Sequence, residues 1–409
     1  MKRFYLLALA ATLAFTGCKK DDGDPRPENL TIEKTEYALD AVENRTATVS
    51  FSAPADWTLS VVYDDAESSA DWLSVTPMSG TAGEQTVELS AARNFRTSDR
   101  TAYADLVCGE QSVRLTVTQT AASEVVDFTA QFDPGFAQKL QELGIIADAD
   151  NITPEDMEKI AAITSLDVAG SYDNPGTLTS LRGIEYFESL TFLKCDSNQL
   201  TTLDVSANTA LTYLYCHSNQ LTTLDVRANT ALTTLSCSSN SLTKLDVRQN
   251  TELMNLSCSS NSLTSLDVSR NTALTGLWCE SNQLTELNVS ANTALTQLHC
   301  GSNQLTELDV RQNTALTGLW CYDNQLTELD ISRNTALTYL HCGSNQLTSL
   351  DVRANTALET LSCDNNPGDG ESKFPITAWF DTKPENLTVS QTSWTYGGKT
   401  ITIDFRKAE

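Results

Sequence analysis

The sequence predicts a mostly β protein, a small β-sandwich followed by a long solenoid of stacked coils. Between Leu30 and Ala122, short segments alternate apolar and polar residues at period two, with Gly and Pro clusters between them. Further on, nine cysteines recur every 21 residues from Cys195 to Cys363. Two asparagine series, Asn198 to Asn366 and Asn208 to Asn355, keep the same period. Self-similarity at one fixed period marks a stacked array, because a single unit cannot bury its own apolar face.

The chain has 409 residues, with 53 Asp+Glu against 27 Lys+Arg and a formal charge of -26. That acidity argues against nucleic acid and against a basic face on anionic lipid. No internal apolar run approaches the roughly 18 residues of a membrane span. Residues 1–17 read as a leader: Lys2 and Arg3, an apolar run from Phe4 to Phe15, then small residues up to Cys18. This ending resembles a bacterial lipobox, with Phe15 where an aliphatic residue is usual. The resemblance implies lipidation of Cys18 and an outer-membrane, surface-exposed protein held through that anchor. "CKKDDGD" resembles the export tag of bacterial surface lipoproteins, so residues 18–28 are read as a tether.

Residues 29–122 form the first domain. "TATVSFSA", "WTLSVV", "TVELSA" and "SVRLTVTQ" read as strands of an antiparallel sandwich. Trp57, "DWLSVTPMSG" at 71–80, Asn94, Arg100 and the closing "VTQ" resemble a BACON domain. The resemblance implies an immunoglobulin-like module, proposed for the family to bind carbohydrate. Here a spacer role is favoured, with Trp57 and Trp72 filling the core.

Residues 123–176 read as a linker and helical cap. "DPGFAQKLQELG" places Phe136, Leu140 and Leu143 on one helical face and ends at Gly144. "TPEDMEKIAAI" opens with Thr153 as N-cap, Pro154 at the first position and Asp156 three residues after the cap. "DADNITPED" faintly suggests a calcium loop, but its alignment puts Ile145, Ala147 and Ala149 at ligand positions, so calcium is rejected.

The solenoid covers 177–366, with a C-terminal cap at 367–409 built on a hairpin around Gly397–Gly398. Its unit, LTxLxCxxNQ-LTxLDVxxNTA, resembles the nested 21-residue class of leucine-rich repeat. Residues such as Leu214 and Cys216 must point inward, while Tyr213, Tyr215 and His217 point out. In-register cysteines about 4.8 Å apart do not suit the roughly 3.8 Å Cβ separation of a disulfide. Leucines fill the neighbouring inward slots, which leaves no metal ligands to converge. The cysteines, like the lone Cys108, are therefore read as buried free thiols.

Outward positions hold the candidate site. One column runs Lys194, Tyr215, Ser236, Ser257, Trp278, His299, Trp320, His341 and Ser362. Phe192, Tyr213, Glu280, Gln297, Tyr322 and Tyr339 flank it, and His217 shares the face. Exposed aromatic clusters mark contact surfaces. Trp278 and Trp320, two coils or about 9.6 Å apart, suit alternate sugar rings or a protein loop. Residues 271–312 and 313–354 match at 34 of 42 positions, so the aromatics could instead be a duplicated pair of β-favouring residues. An Asp column from Asp204 to Asp351, with Arg227, Arg248, Arg311 and Arg353 two residues on, is read as a solvated edge in preference to a calcium ladder.

No HExxH, GxSxG or phosphate loop occurs, and no cofactor is implied. The leading expectation is a non-enzymatic surface lipoprotein that binds a protein partner in adhesion or complex assembly. Glycan binding through the same aromatics, assisted by the sandwich, and a structural spacer stand as alternatives.

Overall fold

The computed structural model describes residues 27–42, 44–63, 72–122, 127–171, 173–380 and 382–408; the leader and Cys18 lie outside them. The chain divides into two compact units. One holds residues up to Thr129 together with Ile145–Ala162, and the other holds Ala130–Gly144 and Ile163 onward.

The first unit is a sandwich of a four-stranded and a five-stranded sheet. Thr46–Ala53 and Gly83–Ala91 pair at the centre of one sheet. Trp57–Tyr63, Arg100–Cys108 and Gln111–Gln119 form the body of the other. Along Arg100–Cys108 alternate residues are buried, as a half-buried strand requires. Trp57 and Trp72 both lie in the core beside Val49, Leu89, Leu106 and Leu115. One pairing departs from the antiparallel expectation: Glu36–Leu39 runs parallel to Thr116–Gln119. The helix Pro154–Ala162 belongs to this unit, whereas the sequence reading made it part of the solenoid's cover. Arg96 pairs with its Glu158 through both guanidinium arms. The expected capping box is present: Thr153 Oγ1 accepts from the Asp156 N–H, and Asp156 accepts from the Thr153 N–H.

The second unit opens with the helix Pro134–Glu142, whose N-cap Asp133 accepts from the N–H groups of Gly135 and Phe136. Phe136 and Leu140 are buried, but Leu143 is 45% exposed, because it is the C-cap residue and has left the buried stripe. Gly144 then takes the left-handed conformation that stops the helix, φ +70°.

Eleven strands follow in one parallel sheet, from Ser165–Asp167 through Phe192–Lys194 and Tyr213–Tyr215 to Thr360–Ser362 and Thr388–Val389. Register is fixed by identical residues: Leu193 stands beside Leu214, and Leu214 beside Leu235. Inward Leu, Val and Cys side chains form the continuous core.

Hydrogen-bond ladders hold the bends. Asn303, of the first asparagine series, donates through Nδ2 to the carbonyls of Cys279, Cys300 and Gly301, and its Oδ1 accepts from the Leu284 N–H. Asn313, of the second series, donates to the carbonyls of Val289 and Asn292. Asn303 thus satisfies a Leu284 N–H that would otherwise be buried unpaired, and both series add second donors to carbonyls at the bends. A turn two residues after each cysteine puts Ser197, Ser218 and their successors to Asn365 at positive φ.

The far end is closed by the expected hairpin, Ser393–Tyr396 with the start of Lys399–Lys407. The cap is larger than the hairpin, since Lys373–Ala378 inserts between Leu350–Asp351 and Lys399–Lys407. Trp394 Nε1 donates to the Asn366 carbonyl and seals the last asparagine of its series.

Candidate functional site

The outward column falls into the expected register. Lys194, Tyr215, Ser236, Ser257, Trp278, His299, Trp320, His341 and Ser362 stand side by side on consecutive strands. Both tryptophans are half-buried on the outer face, above inward Leu277 and Leu319. Glycines make room for their rings: a Cβ on Gly276 would overlap the Trp278 indole, and one on Gly318 the Trp320 indole.

Four of the candidate residues form one continuous stack. Ring centroids are 5.7 Å apart for Trp278 and His299, 3.8 Å for His299 and Trp320, and 4.5 Å for Trp320 and Tyr339. Interplanar angles of 13° and 23° make the last two contacts face to face. Both faces of Trp320 are therefore covered. The gap of about 9.6 Å between the tryptophan columns, expected from the coil spacing, is filled by His299. Rings stacked in this way show their edges to solvent. Burial among them pushes the His299 imidazole down to about 4, so it is neutral at physiological pH.

The remaining candidates lie in smaller groups. Tyr322 stacks on His341 at 4.6 Å, and its ring occupies the space a Cβ on Gly301 would need. Burial lowers the His341 pKa, and nearby Asp364 works against that shift. Tyr213 and Tyr215 pack on Phe192, at 6.1 Å and 5.7 Å. His217 lies 3.4 Å from Asp196 and 3.3 Å from the Ser236 hydroxyl. Two coils of small polar residues separate these groups from Trp278: Thr234, Ser236 and Ser238, then Asn255, Ser257 and Ser259. Glu280 lies at their border, and its Oε2 is buried without a hydrogen-bond partner. The pairing of His217 with Asp196, the overlap of Tyr322 with Gly301 and the isolation of Glu280 were not foreseen from the sequence. An eye to the residue after each cysteine would have found all three, since Asp196, His217, Glu280, Gly301 and Tyr322 share that slot.

The model of the viral BACON domain matches residues 29–122. Those residues form a BACON domain. Among solved structures, the functional domain of InlJ from Listeria monocytogenes, which includes a cysteine ladder, is 39% identical with a TM-score of 0.58. The match covers 68% of this chain and 62% of that one, so the chain spans less than two thirds of its length. The ectodomain of the plant receptor kinase GASSHO1/SCHENGEN3 from Arabidopsis thaliana is 21% identical, with a TM-score of 0.49, over 61% of this chain and 31% of that one. A comparison with curated proteins gives no match. The second unit is a solenoid of leucine-rich-repeat type with a parallel strand sheet.

Within the BACON domain the signature residues serve the fold. Asn94 donates to the carbonyls of Ser98 and Thr120 and accepts from the Arg96 N–H. Arg100 donates to Gln119 and to the carbonyls of Ala92 and Arg93, and its guanidinium lies 4.5 Å over the Trp72 ring. Gln119 returns bonds to the carbonyls of Asp40 and Ala92. These buried groups satisfy one another and tie the ends of four strands.

The nine repeat cysteines and Cys108 are free and buried. Burial pushes the Cys300 and Cys342 thiols up to about 12. In the Asp column, each Oδ1 accepts the N–H two residues on, as Asp309 does from Arg311 at 3.0 Å. Asp225, Asp246, Asp309 and Asp351 also pair with the arginine there. Hydrogen bonds from Arg311 hold the Asp309 carboxyl down to about 2. The carboxylates of this column are thus engaged in turns and ion pairs, and no group of three metal-ligating residues occurs among the described residues.

Proposed function

We propose that this chain is a non-enzymatic, lipid-anchored surface protein that binds a protein partner through the outer sheet face between Trp278 and His341, in adhesion or complex assembly. The anchor would be Cys18, and the outer membrane its location. The observation that carries the reading is the stack Trp278–His299–Trp320–Tyr339. Sugar rings pack flat on aromatic faces, and because both faces of Trp320 are taken the two tryptophans do not offer a pair of open faces to alternate sugar rings. A row of ring edges with Tyr hydroxyls and indole N–H groups instead offers rigid, amphipathic area at little entropic cost, which suits a protein surface. The BACON domain then acts as a spacer, in keeping with the structural use of its signature residues.

The test compares the wild-type chain with Trp278→Ala/Trp320→Ala, using captured surface proteins and a glycan array as probes. Loss of a protein partner on the double substitution, with no glycan bound by either form, is the expected result. A glycan bound by the wild type and lost in the variant would replace the protein reading with the glycan one. No ligand of either kind would leave the spacer role.

A further inference from the structure

We infer that the step beside Trp278 receives the guanidinium of an arginine on the protein partner. The inference rests on the protein-binding reading and names the chemistry of one contact within it.

The step is bounded by register. Tyr215, Ser236, Ser257 and Trp278 stand on successive strands, so three coil spacings of about 4.8 Å put the two aromatic columns ~14 Å apart. A van der Waals separation of about 3.5–4 Å at each wall leaves ~7 Å between them. That width admits an extended side chain and excludes a helix, about 10 Å across. The floor is Ser236, Ser238, Ser257 and Ser259, with Thr234 and Asn255 at one side.

Three observations specify what enters. His299 stands on one side of Trp278, and on the other side the register places Ser257; no other ring contacts Trp278 among the described residues. Trp278 therefore has one face that no other ring covers. Glu280, two residues on and on the same side of the strand, holds a carboxylate oxygen that is buried and accepts no hydrogen bond. Ser259 lies alongside Glu280, because Cys258 N–H bonds the Trp278 carbonyl and Ser260 N–H bonds the Glu280 carbonyl. It is 8% exposed, and its hydroxyl is also without a partner. A carboxylate only accepts, so a ligand that meets it, as the partly exposed Glu280 side chain turns into the step, must bring donors. A guanidinium brings several in one plane, lies flat on an indole and is less strongly hydrated than an ammonium. The chain's charge of -26 favours approach of a cation. The duplicated copy provides a contrast: Trp320 has both faces covered, and Tyr322 occupies the place of Glu280.

The test follows the indole N–H signals of the full chain, 15N-labelled at tryptophan, during titration with the peptide Gly-Arg-Gly. Gly-Lys-Gly and methyl glucoside are the comparison ligands. Expected are a saturable shift of the Trp278 signal with Gly-Arg-Gly, an unmoved Trp320 signal, and binding about tenfold weaker in Glu280→Gln, the loss of one charge-assisted hydrogen bond. Ser259→Ala should weaken it to a smaller extent. The inference is overturned if Gly-Arg-Gly leaves Trp278 unmoved, if Glu280→Gln binds it equally, or if Gly-Lys-Gly or methyl glucoside binds as tightly. A captured partner that is lost with Trp320→Ala but retained with Glu280→Gln would overturn the arginine contact and leave the protein-binding reading intact.

Discussion

Removing one asparagine from each buried series should separate their roles, because the two series make different bonds. Asn313 donates to the Val289 and Asn292 carbonyls at 2.9 Å each, and its own Oδ1 has no partner. Asn313→Ala therefore removes two hydrogen bonds but strands no acceptor, because the Val289 carbonyl also accepts the Asn292 N–H and the Asn292 carbonyl the Leu295 N–H. A hydrogen bond lost without stranding its partner costs about 0.5–1.5 kcal/mol, so the expected loss is ~1–2 kcal/mol. Asn303 donates to three carbonyls and accepts the Leu284 N–H at 3.0 Å. Asn303→Ala removes three bonds to carbonyls that each keep another donor and also strands the buried Leu284 N–H, at about 1–3 kcal/mol, so ~3–5 kcal/mol is expected in all. Gln312→Ala, at an exposed position beside Asn313, should stay within about 0.5 kcal/mol and serves as control. Urea unfolding by far-UV circular dichroism, with amide exchange to locate the opening coils, gives the comparison. Coils couple mainly to their neighbours, so exchange should rise first around the substituted coil. Losses below 0.5 kcal/mol at both positions, or a larger loss at Asn313 than at Asn303, would refute the account of the bends.

Three further outcomes are expected. The repeat cysteines, buried and with thiols such as Cys300 held up to about 12, should resist alkylation at pH 8 until the chain is unfolded, as read by mass spectrometry over Cys195 to Cys363. His299 should titrate by NMR near 4, and Trp320→Ala should move it back toward 6.5. Because its folded pKa lies below the unfolded one, this histidine should cost the fold stability as pH falls from 6.5 through 4 and none above 6.5. At Ser281, φ 57° burdens any residue with a Cβ, so Ser281→Val should destabilise by about 1–2 kcal/mol and Ser281→Gly by less than 0.5 kcal/mol, in denaturant titrations.

Much of the solenoid could be read in advance because its period fixes which residues meet. Once Cys195 and Cys216 are aligned, every outward residue has a known neighbour, and the column from Lys194 to Ser362 required no coordinates. The first coil was hidden because it breaks the period. Leu166 pairs with Leu193, 27 positions on instead of 21, and Val168 takes the cysteine's slot. The cap strand Lys373–Ala378 was hidden by Pro375, a residue that argues against an interior strand. At the site, the presence of aromatics was legible, but their mutual stacking was not. Side-chain torsions decide whether neighbouring rings lie flat or stand upright, and sequence spacing carries no such angle.

That stacking follows from placing aromatics on consecutive coils. Neighbouring strands stand about 4.8 Å apart, little more than the 3.5–4 Å separation of touching carbon atoms, so adjacent rings exclude anything between them. Aromatics on alternate coils would leave slots for a flat ligand, and here His299 fills the slot between Trp278 and Trp320 while Tyr339 covers the far face of Trp320. The second of the two matching segments, 313–354, therefore lengthens a closed stack instead of repeating an open site. The two copies then differ where the stack ends. In the second copy, Tyr339 extends it with a further ring, and Tyr322 stacks separately on His341. In the first, Trp278 faces two coils of serine, with Glu280 beside it. The face is consequently polar in its layout as well as in its charge, closed and apolar toward His341 and open with an unpaired carboxylate oxygen at Glu280. A partner that reads this face must match both ends in one orientation.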